Sequence, residues 1–590
     1  MSVETETAAF KTKNSPARKL KKDMTMTGAQ MIVRVLEAEG VKHVFGIPGG
    51  AVIPLYDALG EASFTTILTR HEQAACHAAE GYARATGKTG VCIATSGPGA
   101  TNILTGLANA QMDSTPLVVI TGQVASHLIG SDAFQESDIF GCSLPLVKHS
   151  FMIQHLEELP GALSGAFFIA SSGRPGPVLV DIPVNIQKAR GSFKYPGEVS
   201  FPHYSSRNKS DIRSLDDAVA ALRGAERPVI IAGGGSIISG AGDQIFRIAT
   251  GERIPVATTL MGKGIFPEDH TLSLGMLGMH GRAQANLSVS GADLILAVGT
   301  RFSDRSTGDR DHFAPKARII HIDIDSAEIG KNIRADISLL GDCAAVLSKL
   351  IEKLPADPPP NHEAWLAEIE RLRQMYPAEP VLKGGLNPVG IIRSLRSRVN
   401  SEDILTTEVG QHQMWAALHW KASVPGTFIT SGGLGTMGFG LPAAVGAAFA
   451  RPGRPVTCLS GDGSFFMNIQ ELETCVRYKL PVRLIVLNNG SLGMVRQWQD
   501  LFWRKNYVHT CQKPACSLSK VAGSFGFQAW TVEDPADLEE ALDGAFAAEG
   551  PSLVECFIPL EENVYPMVPA GERLDQFLDP AGQPETKTGF

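Results

Sequence analysis

Two oxygen-bearing side chains follow two apolar runs in the carboxyl-terminal part of the chain. Asp462 follows the run 455–460 inside a Gly-Asp-Gly turn, and Asn489 follows the run 482–487. Residues 468–479 between them carry apolar residues at helical spacing, which predicts a strand–helix–strand unit. Because parallel strands open at the same edge of a sheet, Asp462 and Asn489 should lie close together. This pair of oxygens suits Mg²⁺, which takes few protein ligands and completes its shell with phosphate oxygens and water.

The competing interpretation of the Gly-Asp-Gly turn is purely structural. Gly461 and Gly463 allow a tight bend, and Asp462 would cap the helix that follows. The double Asn at the second strand end favours the metal site, because a simple turn needs no second polar residue there.

The amino-terminal part of the chain has a carboxylate in a comparable position. Glu72 follows the apolar run 66–69 and opens a predicted helix, where a negative charge also favours the positive end of the helix dipole. A glycine-rich turn at 95–102 follows the next predicted strand, and a second glycine-dense stretch spans 431–446. Packed glycines let backbone amides approach a phosphate closely. Candidate cofactor contacts therefore occur in both the first and the last part of the chain.

The composition is that of a soluble globular protein with several domains. The chain has 590 residues and a formal net charge of −8, so no polybasic surface predicts nucleic-acid binding. No apolar run is long enough to predict a membrane span. The nine cysteines are scattered, which favours reduced thiols in a bacterial-type cytoplasm. The basic start of the chain favours a disordered extension, because Glu4 and Glu6 count against an organellar transit peptide, although import stays an alternative.

Strand and helix patterns alternate, which predicts an α/β fold with three doubly wound parallel-sheet domains. The middle domain is Rossmann-like, although the glycines at 233–235 do not form a full dinucleotide motif. The predicted organisation is a disordered extension at 1–24, a first domain at 25–190, a linker at 191–215, a central domain at 216–354, a second linker at 355–386, a last domain at 387–566, and a tail or lid at 567–590.

Several motifs together resemble the acetohydroxyacid synthases (acetolactate synthases) among the thiamine-diphosphate-dependent enzymes. They are RHEQAA at 70–75, TSGPGATN at 95–102, DAFQE at 132–136, MLGMHG at 276–281, GTRFSDR at 299–305, and the GDG and NN pair. The resemblance runs from Thr27 to about Met567. It implies a pyrimidine-binding first domain, an FAD-binding middle domain, and a last domain that binds diphosphate and Mg²⁺.

The resemblance also implies roles for individual residues. As catalytic residues, Glu72 would bind the aminopyrimidine ring and Gln135 would face the reacting centre. As substrate residues, Arg305 would hold the carboxylate of the second 2-ketoacid and Trp498 would line its pocket. The implied Mg²⁺ ligands are Asp462, Asn489 and Ser491 (through its backbone carbonyl). The implied thiamine diphosphate contacts are Gly50, Glu72, Pro98, Asn102, Val409, Gly410, Gln411, His412, Gly435, Met437, Gly461, Gly463, Ser464 and Met494. The implied FAD contacts are Arg174, Gly233, Gly234, His280, Gly281, Arg301, Asp323, Ile324 and Asp342.

The implied activity is that of a catalytic subunit in valine, leucine and isoleucine biosynthesis. Pyruvate would be decarboxylated, and the product would condense with pyruvate or 2-oxobutyrate to give 2-acetolactate or 2-aceto-2-hydroxybutyrate. The family implies a homodimer or homotetramer and a small regulatory subunit. The alternatives are a flavin-redox relative of the pyruvate oxidase type, a flavin-free middle domain, and a non-catalytic subunit; the last is disfavoured because Glu72 and the metal pair are present.

Overall fold

The computed structural model describes residues 24–197, 210–377, 386–512 and 515–578. Three six-stranded sheets, each wholly parallel, follow one another along this part of the chain, and helices connect their strands. The predicted α/β fold with three parallel-sheet domains is therefore confirmed. Apart from Met24, the extension predicted at 1–24 lies outside the described residues. None of the described helices has the length and apolar character needed to cross a membrane.

The first sheet is most deeply buried at its centre. The strands of the first domain are β1 (Met24–Thr27), β2 (His43–Gly46), β3 (Thr65–Leu68), β4 (Gly90–Ala94), β5 (Leu117–Gln123), β6 (His149–Met152), β7 (Pro177–Pro183) and β8 (Arg190–Phe193). The first and last of them pair in a separate two-stranded antiparallel ribbon, and the other six form the sheet. Its helices are α1 (Gly28–Ala38), α2 (Ile53–Leu59), α3 (Glu72–Thr86), α4 (Pro98–Asn102), α5 (Leu104–Asp113), α6 (Ile139–Ser143), α7 (Leu159–Ser171) and α8 (Val184–Lys188). The strand order is β3-β2-β4-β5-β7-β6, and every residue of β5 and β7 is buried, as expected for parallel strands covered on both faces.

The middle sheet has the order β11-β10-β9-β12-β13-β14. Its strands are β9 (Pro228–Ala232), β10 (Val256–Thr258), β11 (Ser273–Met276), β12 (Leu294–Val298), β13 (Arg318–Asp323) and β14 (Ile337–Leu340). Its helices are α9 (Leu215–Gly224), α10 (Gly234–Ser239), α11 (Gly242–Gly251), α12 (Ala283–Ser290), α13 (Asp304–Thr307), α14 (Cys343–Lys353) and α15 (Glu363–Met375). The order reverses between β9 and β12, and the carboxyl ends of strands at such a switch point form the usual ligand crevice of α/β sheets.

The last sheet has the order β16-β15-β17-β18-β20-β19. Its strands are β15 (Ile404–Thr407), β16 (Phe428–Ile429), β17 (Val456–Gly461), β18 (Val482–Asn488), β19 (Gln528–Val532) and β20 (Ser552–Phe557). Its helices are α16 (Pro388–Ser397), α17 (Gln411–His419), α18 (Gly440–Ala450), α19 (Asp462–Phe465), α20 (Glu471–Arg477), α21 (Gly493–Phe502), α22 (Leu518–Phe525) and α23 (Leu538–Ala547). Because β17 and β18 are parallel neighbours, the residues that follow them emerge at one edge of the sheet, as predicted.

The first and last domains pack against each other through α3 and α18. The two helix backbones approach closely, because a Cβ at Gly446 would lie 1.8 Å from the carbonyl oxygen of Ala78 and one at Gly81 would lie 2.2 Å from that of Ala443. Only glycine permits such an approach. One apolar cluster runs through both domains at this contact, so they share a core.

The prediction of a polar, loosely anchored tail after residue 566 is wrong for the described residues. Met567, Val568, Leu574 and Phe577 are buried, and the last three join an apolar cluster of the middle domain. The Val568 N–H also donates to the carbonyl of Met279 at 2.7 Å. The segment 567–578 is therefore a packed strap across the middle domain, while 579–590 lie outside the described residues.

The stretch predicted as the first linker also begins with regular structure. Residues 190–193 form β8, which pairs antiparallel with β1 at the start of the first domain. This pairing joins segments far apart in sequence, so local composition gives no sign of it. Residues 198–209 of the same prediction lie outside the described part of the chain.

Candidate active site

A group of predicted site residues meets at the carboxyl ends of β2, β3 and β4. The Asn102 amide donates to Glu72 Oε2 at 3.0 Å, while a Cβ on Gly99 would lie 3.2 Å from Glu72 Oε1. Gly97, with φ +58°, lies against the backbone of Gln135, since a Cβ there would be 2.8 Å from the Gln135 carbonyl oxygen. We call this group the amino-terminal cluster, and it consists of Gly50, Glu72, Pro98, Asn102 and Gln135.

The turn that carries Gly50 is fixed by Thr95 at the end of β4. The Ala51 N–H donates to Thr95 Oγ1 at 3.2 Å, and a Cβ on Gly49 would lie 2.5 Å from the Thr95 side chain. Thr95 also limits the space at Gly99, where a Cβ would lie 2.7 Å from its methyl group. The glycine-rich turns after β2 and β4 are therefore locked together beside Glu72.

A second group of predicted site residues lies at the carboxyl ends of β15, β17 and β18. Ser464 Oγ donates to the carbonyl of Val409 at 2.8 Å, and the Asn489 amide donates to Gln411 Oε1 at 3.2 Å. A Cβ on Gly461 would lie 2.8 Å from His412 Nδ1. We call this group the carboxyl-terminal cluster, and it consists of Val409, Gly410, Gln411, His412, Gly435, Met437, Gly461, Asp462, Gly463, Ser464, Asn489, Ser491 and Met494.

Asp462 has the environment of a metal ligand. Its side chain is buried, and no cationic side chain pairs with it in the described part of the chain. Burial raises the pKa of Asp462 to about 7, and backbone N–H groups, including that of Asn489, oppose the shift. Nearby, Asn489 Oδ1 accepts from the Ser491 N–H at 3.1 Å. A buried carboxylate without a counter-ion beside an amide oxygen fits a hard divalent cation.

His412 has a free hydrogen-bonding position in the same cluster. It is buried, and its Nε2 has no hydrogen-bond partner among the described residues. Burial lowers the pKa of His412 to about 3, so the ring is neutral. A buried polar atom without a partner marks a place that a ligand atom can fill.

A cavity of about 1030 Å³ opens beside the carboxyl-terminal cluster and is lined by all three domains. Its size exceeds that of a pocket for an ordinary small ligand. Many of the predicted site residues line it: Arg174, Gly234, His280, Arg301, Arg305, Asp323, Ile324, Asp342, Val409, Gly410, Gly435, Met437, Met494 and Trp498. Gly233 and Gly281 do not line it, because each packs against neighbouring backbone, that of Gly299 and of Leu277–Gly278 respectively.

Charged side chains form the wall of the cavity between the first and middle domains. Arg174 reaches from the first domain to Glu328 at 2.7 Å and to Asp325 at 3.3 Å. Asp323, at the end of β13, has its pKa raised by burial to about 6. Asp342 caps α14 by accepting from the Ala345 N–H at 3.0 Å. Strand-end carboxylates of this kind can accept from ribose hydroxyls.

His280 faces the cavity with an unused nitrogen. It is buried, and its Nδ1 has no hydrogen-bond partner in the described chain. Burial lowers the pKa of His280 to about 4, and the positive charge of Arg305 adds to the shift. The ring is thus neutral, and its Nδ1 is a buried polar atom without a partner among the described residues.

Arg305 and Trp498, the two predicted substrate residues, both line the cavity and contact each other. The guanidinium carbon of Arg305 lies 5.9 Å from the centroid of the Trp498 ring, within the range of a cation–π contact. Trp498 Nε1 is buried and has no hydrogen-bond partner among the residues described, and Arg305 is exposed, with Asp304 at 3.1 Å. The pair offers a cation and an apolar wall to one ligand.

The two halves of the predicted thiamine site do not share this cavity. Neither Glu72 nor Gln135 lines it, although Met437 and Met494 do. The structure therefore brings the amino-terminal cluster together and the carboxyl-terminal cluster together, and only the carboxyl-terminal cluster contributes to the lining of this cavity.

Asp113, which no sequence motif indicates, also lines the cavity. This buried carboxylate of α5 accepts from the N–H groups of Gly433 at 2.7 Å and Gly432 at 3.2 Å, and Arg84 lies 3.6 Å away. It comes from the first domain and contacts a loop of the last. An aspartate inside a helical pattern carries no local sign of such a contact, so no sequence signal identified it.

Each of the three domains matches a family of thiamine pyrophosphate enzymes. Residues 26–142 match the N-terminal TPP binding domain, 215–350 the central domain, and 408–556 the C-terminal TPP binding domain. These matches support thiamine diphosphate as a ligand of the chain and place one of its two binding domains at each end.

Curated relatives are similar over almost the whole chain. The probable acetolactate synthase large subunit of Methanocaldococcus jannaschii is 47% identical over 567 residues, which cover 94% of this chain and 95% of the relative. The acetolactate synthase large subunit of Parasynechococcus marenigrum is 46% identical, with 96% and 93% covered, and the acetolactate synthase isozyme 2 large subunit of Escherichia coli is 46% identical, with 94% and 100% covered. The chain belongs to the acetolactate synthase large subunits, a family of thiamine pyrophosphate enzymes.

Proposed function

We propose that this chain is the catalytic subunit of an acetolactate synthase. It would decarboxylate pyruvate and join the remaining two-carbon unit to pyruvate or 2-oxobutyrate, giving 2-acetolactate or 2-aceto-2-hydroxybutyrate for branched-chain amino acid biosynthesis. The observation that carries the proposal is the pairing of Arg305 with Trp498 beside Met437 and Met494 in one cavity. A cation and an apolar wall next to thiamine contacts fit a second 2-ketoacid, with its carboxylate and its alkyl group.

Glu72 is assigned to the pyrimidine end of thiamine diphosphate. When bound, this cofactor supplies a nucleophilic carbon and an electron sink for decarboxylation. Because Asn102 occupies Glu72 Oε2, we assign Oε1 to the aminopyrimidine ring nitrogen, where the carboxyl would exchange a proton. Gln135 would present its amide from the adjacent loop.

The carboxyl-terminal cluster would hold the diphosphate end. Asp462, the Asn489 side chain and the Ser491 carbonyl would bind Mg²⁺, and His412 would direct its free nitrogen to a phosphate oxygen. The turns at Gly410, Gly461 and Gly463 would bring backbone amides near the same group. Met437, whose side chain lies near Gly463, would pack against the bound cofactor.

FAD is the group we assign to the large cavity. Its volume, the orphaned His280 nitrogen, and the carboxylates at Asp323 and Asp342 fit a dinucleotide with ribose hydroxyls. Arg174 and Arg301 would face its phosphates, with Gly234 and Ile324 against the rest. Gly233 and Gly281 would act indirectly, by allowing the close backbone packing around the cavity.

The competing activity is that of a flavin-redox relative of the pyruvate oxidase type, which would share the fold and the cofactors. Flavin absorbance during anaerobic mixing with pyruvate separates the two. A synthase leaves the flavin oxidised while pyruvate is consumed. Bleaching of the flavin at the rate of pyruvate consumption would reject the proposed function and favour the oxidase.

Trp498→Leu is expected to lower the preference for 2-oxobutyrate over pyruvate. The extra methylene of 2-oxobutyrate contributes roughly 1–3 kcal/mol only where a wall packs against it. Competition between both ketoacids, with the two products quantified, measures this preference. Trp503→Leu is the matched control, because Trp503 is exposed and does not line the cavity. An unchanged product ratio in Trp498→Leu would show that the indole has only a packing role.

We propose that each complete thiamine diphosphate site is formed by two copies of the chain. Thiamine diphosphate must contact the amino-terminal and carboxyl-terminal clusters at once, yet the amino-terminal cluster does not line the cavity that Met437 and Met494 line. Large apolar side chains also remain exposed near the amino-terminal cluster, including Phe134 at 88% and Ile53 at 62%. Such a surface favours burial by a second copy in a twofold dimer or in a homotetramer. Because the relatives are named large subunits, a small regulatory subunit is a further proposed partner.

Mixing two inactive variants is expected to restore activity. In a dimer with shared sites, a Glu72→Gln chain and an Asp462→Ala chain form one doubly altered site and one intact site. With random exchange of the two chains, the mixture would recover roughly a quarter of the wild-type activity. Mass spectrometry would verify that heterodimers formed. Each variant mixed with itself is the control. Heterodimers that stay inactive would place the whole site within one chain.

A further inference from the structure

A buried network of polar side chains links α3 to α5 in the first domain. His77 Nδ1 lies 2.8 Å from Glu80 Oε1, and the Asn109 amide donates to Glu80 Oε2 at 2.8 Å. All three side chains are fully buried. Both carboxylate oxygens of Glu80 therefore have partners, which is the condition under which a buried polar network is tolerated.

This network continues into the last domain. Asn109 Oδ1 accepts from Ser431 Oγ at 2.5 Å and from Thr436 Oγ1 at 3.0 Å, and Ser431 Oγ in turn accepts from the Thr436 N–H at 2.8 Å. The side-chain amide of Asn109, in the first domain, thus binds two residues, Ser431 and Thr436, of one loop of the last domain. Its own orientation is fixed by Glu80, because only the NH₂ group can donate to a carboxylate.

This loop, residues 430–439, carries two of the proposed thiamine contacts, Gly435 and Met437. It connects β16 to α18 and has no regular secondary structure. Gly435 and Gly438 have φ values of +74° and +88°, and Gly435 and Met437 line the cavity. Glycines in such conformations leave a loop with high conformational freedom, so its shape must come from contacts outside it.

We propose that Asn109, oriented by Glu80, is a positioning residue that fixes the 430–439 loop and thereby places Met437 for thiamine diphosphate. The inference rests on the proposed assignment of Met437 to that cofactor. Asn109 itself does not line the cavity, so it acts through Ser431 and Thr436. Asp113 supports the same loop one helical turn later, through the N–H groups of Gly432 and Gly433.

The two domains are also held together by a contact that does not involve the side chains of Asn109 and Thr436. That contact is the close packing of α3 on α18 around Gly81 and Gly446, which is backbone against backbone. Removing one hydroxyl or amide leaves this packing unchanged. A loss of loop order can therefore be measured without separating the domains.

The test uses two substitutions at Thr436 and one at Asn109 in the full chain. Thr436→Val removes the hydroxyl that donates to Asn109 and keeps the shape, whereas Thr436→Ser retains the hydroxyl. Asn109→Ala removes the acceptor of both loop hydroxyls. Ser552→Ala is the control, because it deletes a comparable buried hydrogen bond, to the carbonyl of Ala545 at 2.8 Å, far from the loop.

The first readout is hydrogen–deuterium exchange of the 430–439 peptide without cofactor. We expect faster exchange in Asn109→Ala and Thr436→Val, and wild-type exchange in Thr436→Ser and Ser552→Ala. The second readout is titration with thiamine diphosphate at saturating Mg²⁺, where Asn109→Ala should bind about tenfold more weakly, as expected for loss of a buried hydrogen bond.

Two results would overturn the inference. One is wild-type exchange of the loop in both Asn109→Ala and Thr436→Val; the other is equal behaviour of Thr436→Val and Thr436→Ser. If Asn109→Ala does not fold, the Thr436 pair alone decides between the outcomes. Failure of the wild-type chain to bind thiamine diphosphate would reject the proposed function instead, and the exchange measurement would still decide whether Asn109 orders the loop.

Discussion

Glu72→Gln is expected to leave the fold intact and to slow deprotonation of the bound cofactor at its thiazolium C2 by about 10²–10⁴-fold, the usual contribution of a general acid–base group. Glutamine can still accept the hydrogen bond from Asn102, so the local structure is retained. It cannot exchange a proton with the pyrimidine ring, so the acid–base function is lost. Hydrogen–deuterium exchange at C2, quenched with acid and read by NMR, measures the step directly.

The matched control for this prediction is Glu61→Gln, because Glu61 is an exposed carboxylate of the same domain. It undergoes the same chemical change away from the amino-terminal cluster and should exchange at the wild-type rate. C2 exchange in Glu72→Gln at nearly the wild-type rate would contradict the assigned role, and would leave Glu72 as a helix-terminal carboxylate that only stabilises α3.

Asp462→Ala is expected to abolish Mg²⁺-dependent binding of thiamine diphosphate. Asp462 is the only carboxylate among the three proposed metal ligands, so its removal leaves two neutral oxygen ligands for the cation that would bridge to the diphosphate. Calorimetric titration with the cofactor at fixed Mg²⁺ measures the affinity. Wild-type affinity in Asp462→Ala would contradict the metal assignment.

Asp543→Ala serves as the control for the metal site. Asp543 lies on the surface of the same domain, paired with Arg398 at 2.7 Å, and its side chain is 73% exposed. An exposed ion pair of this kind has little effect on stability. This variant should therefore bind cofactor and Mg²⁺ like the wild-type chain.

The sequence predicted the site best where chemistry and strand ends coincide. The strands at β9, β12 and β15 begin and end where the apolar runs do, and the turns after them carry Gly233, Gly299 and Glu408. Parallel strands that are buried on both faces give continuous apolar runs, so their ends are readable without any tertiary information. This is why the Asp462–Asn489 pair could be predicted from spacing alone.

Long-range packing is what the sequence did not reveal. The apolar residues of the strap at 567–578 follow no regular period, yet Val568, Leu574 and Phe577 join the core of the middle domain. The ribbon of β1 with β8 joins segments that are distant along the chain. Neither feature repeats at the spacing of a helix or a strand, so pattern reasoning interprets both as tail or linker.

The same limit applies to the site itself. The cavity needs three domains at once, and the contacts of Asp113 and Asn109 with the 430–439 loop depend on how the first domain packs on the last. Motifs supplied the proposed ligand contacts, whereas the residues that contact the 430–439 loop from another domain emerged only from the three-dimensional arrangement.

The central claim is tested most directly by the products that the purified chain forms from pyruvate. The reaction would contain thiamine diphosphate, Mg²⁺ and FAD, and NMR would identify the products while CO₂ is quantified. The account predicts 2-acetolactate and CO₂ in equal amounts, with 2-aceto-2-hydroxybutyrate added when 2-oxobutyrate is present. Conversion of pyruvate to acetate with reduction of the flavin, or no carboligation product at all, would contradict it.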